Sequence, residues 1–210
     1  MILPLIKLLR ADPAEQVRSA AATALGKFAI LSEEGKALPR DGQRIEEALL
    51  TAIEDPKQPI EVRRRSIEAI ATVHGPKISE IIAQAYRDGD PLLRCSAVFA
   101  MGKSGDPQWL PTILNELENS DPSMRFEAAN ACGEMGEPVA VPFLERLAHD
   151  DDPEIRQATI RALGAVGGRA AKQVLLSLLK SDDASLQDAA KEALEQFDVD
   201  RDLPSLKRSP

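Results

Sequence analysis

From residue 90 onward, apolar residues recur at helical spacing, and the pattern itself repeats. Asp90–Pro91, Asp121–Pro122 and Asp152–Pro153 stand at a 31-residue period, each with an Arg four places after the Asp. Counted from the Asp, places 3, 7, 10 and 11 are apolar or small: Leu93, Ala97, Ala100 and Met101 in one copy, Ile155, Thr159, Ala162 and Leu163 in another. At about 100° per residue these share one helix face, while places 2, 5 and 9 fall on the opposite face. The stretches just before each Asp, WLPTILNELENS, VPFLERLAHD and KQVLLSLLKS, are also amphipathic and share one register. Each copy therefore predicts two helices, the second running from the Asp towards the next Gly.

The repeat extends in both directions. DASLQDAAKEAL, from Asp183, keeps the apolar spacing without the Pro and the Arg. Upstream, DPKQPIEVRRRSIEAIATV from Asp55 and DPAEQVRSAAATALG from Asp12 carry insertions between the Pro and the Arg, which makes six copies with the last degenerate. A fixed period of this length is the mark of a solenoid, in which each unit buries its apolar face only against its neighbours. Local chemistry supports the helix starts: Asp accepts from the exposed N–H groups, and Pro at the first helical place has no N–H to leave unsatisfied. Gly102, Gly133 and Gly164 are expected to be the left-handed residues that end these helices.

The recurrent Arg lies at the edge of the buried face. A structural ladder is expected, in which Arg18, Arg63, Arg94, Arg125 and Arg156 each reach the Asp opening an adjacent repeat, the set being Asp12, Asp55, Asp90, Asp121 and Asp152. Recognition of phosphate or carboxylate is the alternative. It fits less well, because the Arg recurs with the repeat.

The DPxxR…A…ALG pattern at this period resembles HEAT repeats, in the short bacterial and archaeal form named after phycobilisome lyases, over about residues 2–197. The resemblance implies an all-α fold, a right-handed α/α superhelix of about six helix pairs. It also implies that the second helices line a concave surface that binds partners. A bilin lyase or lyase-like subunit acting on phycobiliproteins is a function the resemblance carries. No pigment-specific signature accompanies it, and Cys95 is the one residue of the expected groove suited to touching a bilin.

One repeat domain is expected over 1–197. An insertion loop falls at about 33–43, where Glu34–Gly35 and Leu38–Pro39–Arg40–Asp41–Gly42 are turn-formers, and an extended tail covers 198–210. The loop reads equally as the rim of a binding surface and as a tolerated insertion. The opening MILPLIKLL is apolar around most of its circumference, where a terminal repeat should be polar outside. Additional upstream repeats, a partner domain or a second copy of the chain would each cover it. At the other end Lys191, Glu192, Glu195 and Gln196 form a polar cap.

Composition narrows the function. The chain is 43% hydrophobic but only 3% aromatic, a core of Ala, Leu, Ile and Val suited to close helix packing. Its net charge of −8 repels nucleic acid and anionic lipid, and no apolar run reaches membrane-spanning length. The first residues lack the basic lead and small-residue cleavage site of a signal peptide. Cys95 and Cys132 form no disulfide framework, so a cytoplasmic location is expected.

Catalytic constellations are absent from the pattern. His74 and His149 belong to no HExxH or His–Glu pair, and the two cysteines have no CxxC partner. The HEAT-like iron enzyme deoxyhypusine hydroxylase would require several His–Glu pairs. The HEAT-like alkyl-DNA glycosylases would require a basic, aromatic groove, whereas here Arg63–Arg64–Arg65 is the basic cluster and a single Trp and Tyr are present. No metal, cofactor or catalytic residue is expected.

The informative surface is the predicted concave face. Its candidate partner-binding residues are Arg64, Glu68, Leu92, Cys95, Phe99, Phe126, Asn130, Gln157 and Arg161. Phe99 and Phe126, on adjacent copies, either form an apolar centre with a polar rim or turn inward to fill gaps left by alanines. The expected function is a non-enzymatic scaffold that binds another protein or a peptide, with no nucleic acid and no membrane among its partners.

Overall fold

The computed structural model describes residues 1–202, which are all-helical, with no strand among them. Tertiary contacts group the chain into two compact units, one from Met1 to Asp106 and one from Pro107 onward. The first holds α1 (Ile2–Ala11), α2 (Glu15–Glu33), α3 (Pro39–Glu54), α4 (Ile60–Ile70), α5 (Pro76–Arg87) and α6 (Pro91–Ser104). The second holds α7 (Leu110–Glu116), α8 (Pro122–Met135), α9 (Val141–Leu147), α10 (Pro153–Val166), α11 (Gly168–Leu178) and α12 (Ala184–Asp202). Within the first unit α2 packs on α4 and α4 on α6, with α1, α3 and α5 laid against them. Within the second, α8, α10 and α12 pack in the same succession, backed by α7, α9 and α11. Each unit is thus a short solenoid of helix pairs, an inner layer of second helices and an outer layer of first helices.

The repeat geometry follows the predicted faces. Leu93, Ala97, Ala100 and Met101 are buried, as are Ile155, Thr159, Ala162 and Leu163. Places 6 and 8 are buried too, as Ser96 and Val98 or Ala158 and Ile160, because each inner helix has a neighbour on its flank as well as an outer helix behind it. The buried hydroxyls of Ser66 and Thr159 donate to the carbonyls of Val62 and Ile155, so these two donors are satisfied within their own helices. Trp109 is buried at the head of α7.

Helix starts behave as predicted. Asp90, Asp121 and Asp152 accept from the N–H groups of Leu92, Ser123 and Glu154, with Pro at the first helical place. Helix ends do not. The left-handed residues are Gly105 (φ 63°) and Gly136 (φ 65°), with Gly167 also at positive φ, three places beyond the predicted Gly102, Gly133 and Gly164. Those earlier glycines lie inside the last turn, and at Gly133 the role is closeness rather than conformation. A Cβ on Gly133 would stand 3.1 Å from the Ala162 Cα, and one on Gly26 would stand 3.0 Å from the Ala69 Cα. A Cβ on Gly164 would meet the Ala193 Cβ at 3.4 Å. In each case a Gly of one inner helix faces an Ala of the next.

Two boundaries differ from the sequence expectation. The insertion loop is shorter than 33–43, because Pro39 occupies the first place of α3 and Asp41 lies in its first turn, where a carboxylate suits the helix dipole. Residues 198–202 continue α12 rather than extending as a tail, and 203–210 lie outside the described residues. At the two ends, Met1, Leu3 and Leu8 are exposed on α1, while Lys191, Glu192 and Glu195 are exposed on α12; the Gln196 side chain lies outside what is described.

The glycine contacts predict opposite outcomes for one chemical change. Ala is favoured over Gly by about 1 kcal/mol in a helix interior. Overpacking against a backbone that cannot retreat costs about 1–3 kcal/mol. In urea titrations, Gly164→Ala, which meets only an ordinary contact, should stabilise the protein by up to about 1 kcal/mol. Gly26→Ala, which overlaps the Ala69 backbone, should destabilise it by about 1–2 kcal/mol.

Candidate functional site

The inner layer is held in register by the recurrent Arg, whose partner is the opening Asp of the next repeat at Arg156, as predicted, and a different residue at Arg18, Arg63 and Arg125. The cap Asp is occupied at its own helix start. The residue two places before the cap accepts the cap's N–H: Asp88 from Asp90, Asn119 from Asp121, Asp150 from Asp152, and Ser181 through its hydroxyl oxygen from Asp183. In the first copy Asp12 itself takes this earlier place, accepting the Ala14 N–H, while Asp55 accepts from Lys57. The Arg of the preceding repeat reaches this neighbourhood. Arg125 donates to both carboxylate oxygens of Asp150 at 2.7 and 3.1 Å, and Arg63 lies 3.8 Å from Asp88. Arg156 reaches the cap-position Asp183 at 3.6 Å, and Arg18 donates to the Gln58 amide oxygen at 3.1 Å. Arg94 stacks over the Tyr86 ring at 5.6 Å. Behind these contacts, Arg18, Arg125 and Arg156 each donate to carbonyls just before their own helix, those of Asp12, Asn119 and Asp150. The ladder therefore runs to the acid ahead of the cap at Arg63 and Arg125, and to the cap Asp itself at Arg156, where Asp183 also serves its own N–H groups.

A second ionic cluster lies in the first unit. Arg64 donates to Glu61 at 2.9 Å and to Ser96 at 3.3 Å, and Arg65 donates to Glu61 at 2.8 Å and Glu68 at 2.9 Å. Ser96 donates to Glu68 at 2.7 Å and so ties α6 to α4. Burial pushes the Glu61 carboxyl up, but the Arg65 and Arg64 hydrogen bonds and charges outweigh it and hold the carboxyl below its ordinary value. Two of the three consecutive arginines are thus matched by two glutamates and do not form a free cationic patch for phosphates.

Among the described residues, the inner helices of each unit line a groove between neighbours. The first, about 220 Å³, is lined by Thr23, Gly26, Lys27 and Ile30 of α2, Arg65, Glu68 and Ala69 of α4 with Thr72 just beyond it, and Phe99 and Lys103 of α6. Its floor is the Gly26–Ala69 approach, its walls are Ile30 (44% exposed) and half-buried Phe99, and the Thr72 hydroxyl in its wall is buried without a partner. The second, about 600 Å³, is lined by Gln157, Ile160 and Arg161 of α10 and by Ser185, Asp188, Ala189, Glu192 and Ala193 of α12.

The predicted concave residues divide between these places. Glu68 and Phe99 line the first groove, and Gln157 and Arg161 line the second. Arg64 belongs to the ionic cluster beside the first groove. Leu92 is exposed at the start of α6 and Cys95 is half-buried one turn on. Phe126 and Asn130 are half-buried on α8, in the other unit from Phe99. The groove residues that the pattern left out were within its reach. Lys27, Thr72 and Lys103 stand one turn beyond place 9, and Asp188 and Glu192 are places 5 and 9 of the degenerate sixth copy. Ile30 had no such signal, because it lies on the part of α2 that outruns the repeat.

No group of His, Cys, Asp and Glu among the described residues is arranged to hold a metal ion. Burial pushes the Cys132 thiol up to about 12, which makes it unreactive. No helix among the described residues is long and apolar enough to cross a membrane.

Paired helices, caps at a fixed period and an inner layer with grooves define an α-solenoid repeat protein, a general scaffold for binding. Family comparison gives the kind: models described as HEAT repeats match residues 78–158 and 144–209, and a further HEAT repeat matches 2–31, so the chain belongs to the HEAT-repeat family. No curated protein sequence matches. Among solved structures the chain is similar to the CpcE–CpcF complex of phycocyanin lyase from Nostoc sp. PCC7120, at 18% identity and TM-score 0.61, over 94% of this chain and 77% of that one. A designed armadillo repeat protein in complex with the peptide (KR)4 is similar at 18% identity and TM-score 0.56, over 93% and 99% of the two chains. An engineered protein aligns at 20% identity and TM-score 0.54, over 94% and 96%. These likenesses are of fold.

The Arg125–Asp150 pair predicts a pH signature. Burial pushes the Asp150 carboxyl up, but the Arg125 hydrogen bonds, the Asp152 N–H and the Arg125 and Arg156 charges together hold it below its ordinary value. A depressed carboxyl contributes stability above its unfolded pKa, about 3.9, and loses it as pH falls through the lower folded value. Asp150→Asn should destabilise the protein by about 2–3 kcal/mol at pH 7, since the Arg125 and Asp150 side chains are only 19% and 9% exposed. Parallel urea titrations should find the gap between wild type and variant shrinking below about pH 4.

Proposed function

We propose that this chain is a non-enzymatic scaffold whose inner helices hold a partner protein or peptide. The observation that carries the reading is the first groove: an apolar floor and walls, open to solvent, edged by Lys27, Lys103, Arg65 and Glu68. An apolar anchor surrounded by polar groups is the composition of an interface centre, where one inserted side chain supplies much of the binding energy. The partner segment inserts an apolar side chain between Ile30 and Phe99, and the long aliphatic stems of Lys27 and Lys103 cover its edges. Catalysis is not part of this reading. The half-buried Cys95 and buried Cys132, neither of them in a disulfide, suit a reducing compartment such as the cytoplasm. A lyase reading rests on shared fold alone, since neither groove includes Cys95.

The test is cross-linked capture from cells of the source organism. Phe99→Asp and, separately, Ile30→Asp should lose at least tenfold of the partner signal that wild type enriches, with the helical circular dichroism spectrum unchanged. Val139→Asp, a comparably exposed apolar position away from the groove, should retain it. If both groove variants captured as well as wild type, the groove would not be the docking site.

A further inference from the structure

We infer that the groove between α10 and α12 takes an extended segment of a partner protein bearing basic side chains at alternate positions. The inference rests on the reading of the inner layer as a docking face and adds the chemistry of a second, separate site on it.

The groove has an apolar floor, the buried Ile160 and Ala193 with half-buried Ala189 between α10 and α12. Its edges carry four exposed polar side chains, Gln157 and Arg161 on α10 and Asp188 and Glu192 on α12. Among the described residues, none of these four side chains has an ion-pair or hydrogen-bond partner. They contrast with Arg64 and Arg65, whose guanidinium groups are committed to Glu61 and Glu68. Among the described residues, nothing occupies the polar edges of this groove.

The spacing selects the ligand's conformation. Asp188 and Glu192 are four residues apart on one helix, about 6 Å along its axis. In an extended chain, alternate side chains point the same way and repeat at about 6.6 Å. A segment laid along α12 with Lys or Arg at every second position places successive cations against the two carboxylates. Its main chain then runs along the floor between the helices, within reach of Arg161, which donates to a carbonyl, and of the Gln157 amide, which both donates and accepts. The intervening side chains point towards α10, where a small apolar residue suits the space beside Ile160 and Arg161. Arg161 also disfavours a cation on the α10 edge, which fixes which side of the segment carries the basic residues.

The test uses two fluorescein-labelled peptides of one composition, acetyl-AKAKAKA-amide and acetyl-AAKKKAA-amide, titrated into the full chain and read by anisotropy. The alternating peptide should bind at least fivefold tighter than the blocked one, with affinity falling as salt rises. Asp188→Asn with Glu192→Gln should weaken the alternating peptide at least tenfold. Glu47→Gln with Glu145→Gln, the same charge change at exposed sites outside the groove, should change it less than twofold. Equal binding of the two peptides, equal loss in both double variants or no binding of the alternating peptide would each overturn the inference. Ile30→Asp leaves this titration unchanged while it removes partner capture, so failure here and failure of the first groove are read separately.

Discussion

Everything in the inner layer depends on how closely one second helix approaches the next. Gly26 against the Ala69 backbone and Gly133 against the Ala162 backbone leave no room for a side chain between the helices, while Gly164 meets the Ala193 side chain at an ordinary distance. Because dispersion attraction decays steeply with distance, a core made mostly of Ala, Leu, Ile and Val reaches native density only at this separation. The same approach makes the floor of the first groove, since Gly26 and Ala69 are themselves lining residues. Stability and binding surface are therefore one geometric feature, and the smallness of the contact residues serves both.

A close approach without a register would let the helices slide. The Arg at the fourth place of the second helices α2, α4, α6, α8 and α10 supplies one. It anchors backwards on carbonyls ahead of its own helix, and at Arg125 it reaches forward to a carboxylate with two hydrogen bonds. Fork geometry suits Arg to this double task and would not suit Lys. The acid it reaches also accepts the N–H of the next cap, so the link between repeats and the start of the next helix share one side chain. Where that place is Asn119 or Ser181 the local turn survives, because an amide or hydroxyl oxygen still accepts the N–H.

The surface charge is organised rather than simply abundant. In the first unit the arginines that looked like a basic cluster are matched by glutamates, and this leaves an apolar groove with a mixed rim. In the second unit the groove is flanked by charges with no partner among the described residues. Opposite solutions on one scaffold are what a repeat architecture permits: the buried places are constrained by their neighbours, while places 5, 9 and 13 vary without disturbing the stack.

By itself the sequence determined what depends on residues two to four places apart. The period, the Asp caps, the Pro at the first helical place and the buried face of each second helix were legible, because local hydrogen bonds and the helical period settle them. The family was legible for the same reason. The tertiary structure decided what depends on contact between helices. It placed Gly133 as a close-approach residue three places before the left-handed Gly136, turned the Arg ladder towards Asp88 and Asp150, and spent Arg64 and Arg65 on Glu61 and Glu68. It also drew Ile30, Lys27, Asp188 and Glu192 into grooves that sequence spacing alone had not outlined. The reach of a long side chain and the separation of two helix axes are set by packing of residues about thirty or more apart in the chain, and a linear pattern does not encode which of several nearby acids, or which of two glycines, that packing brings within reach.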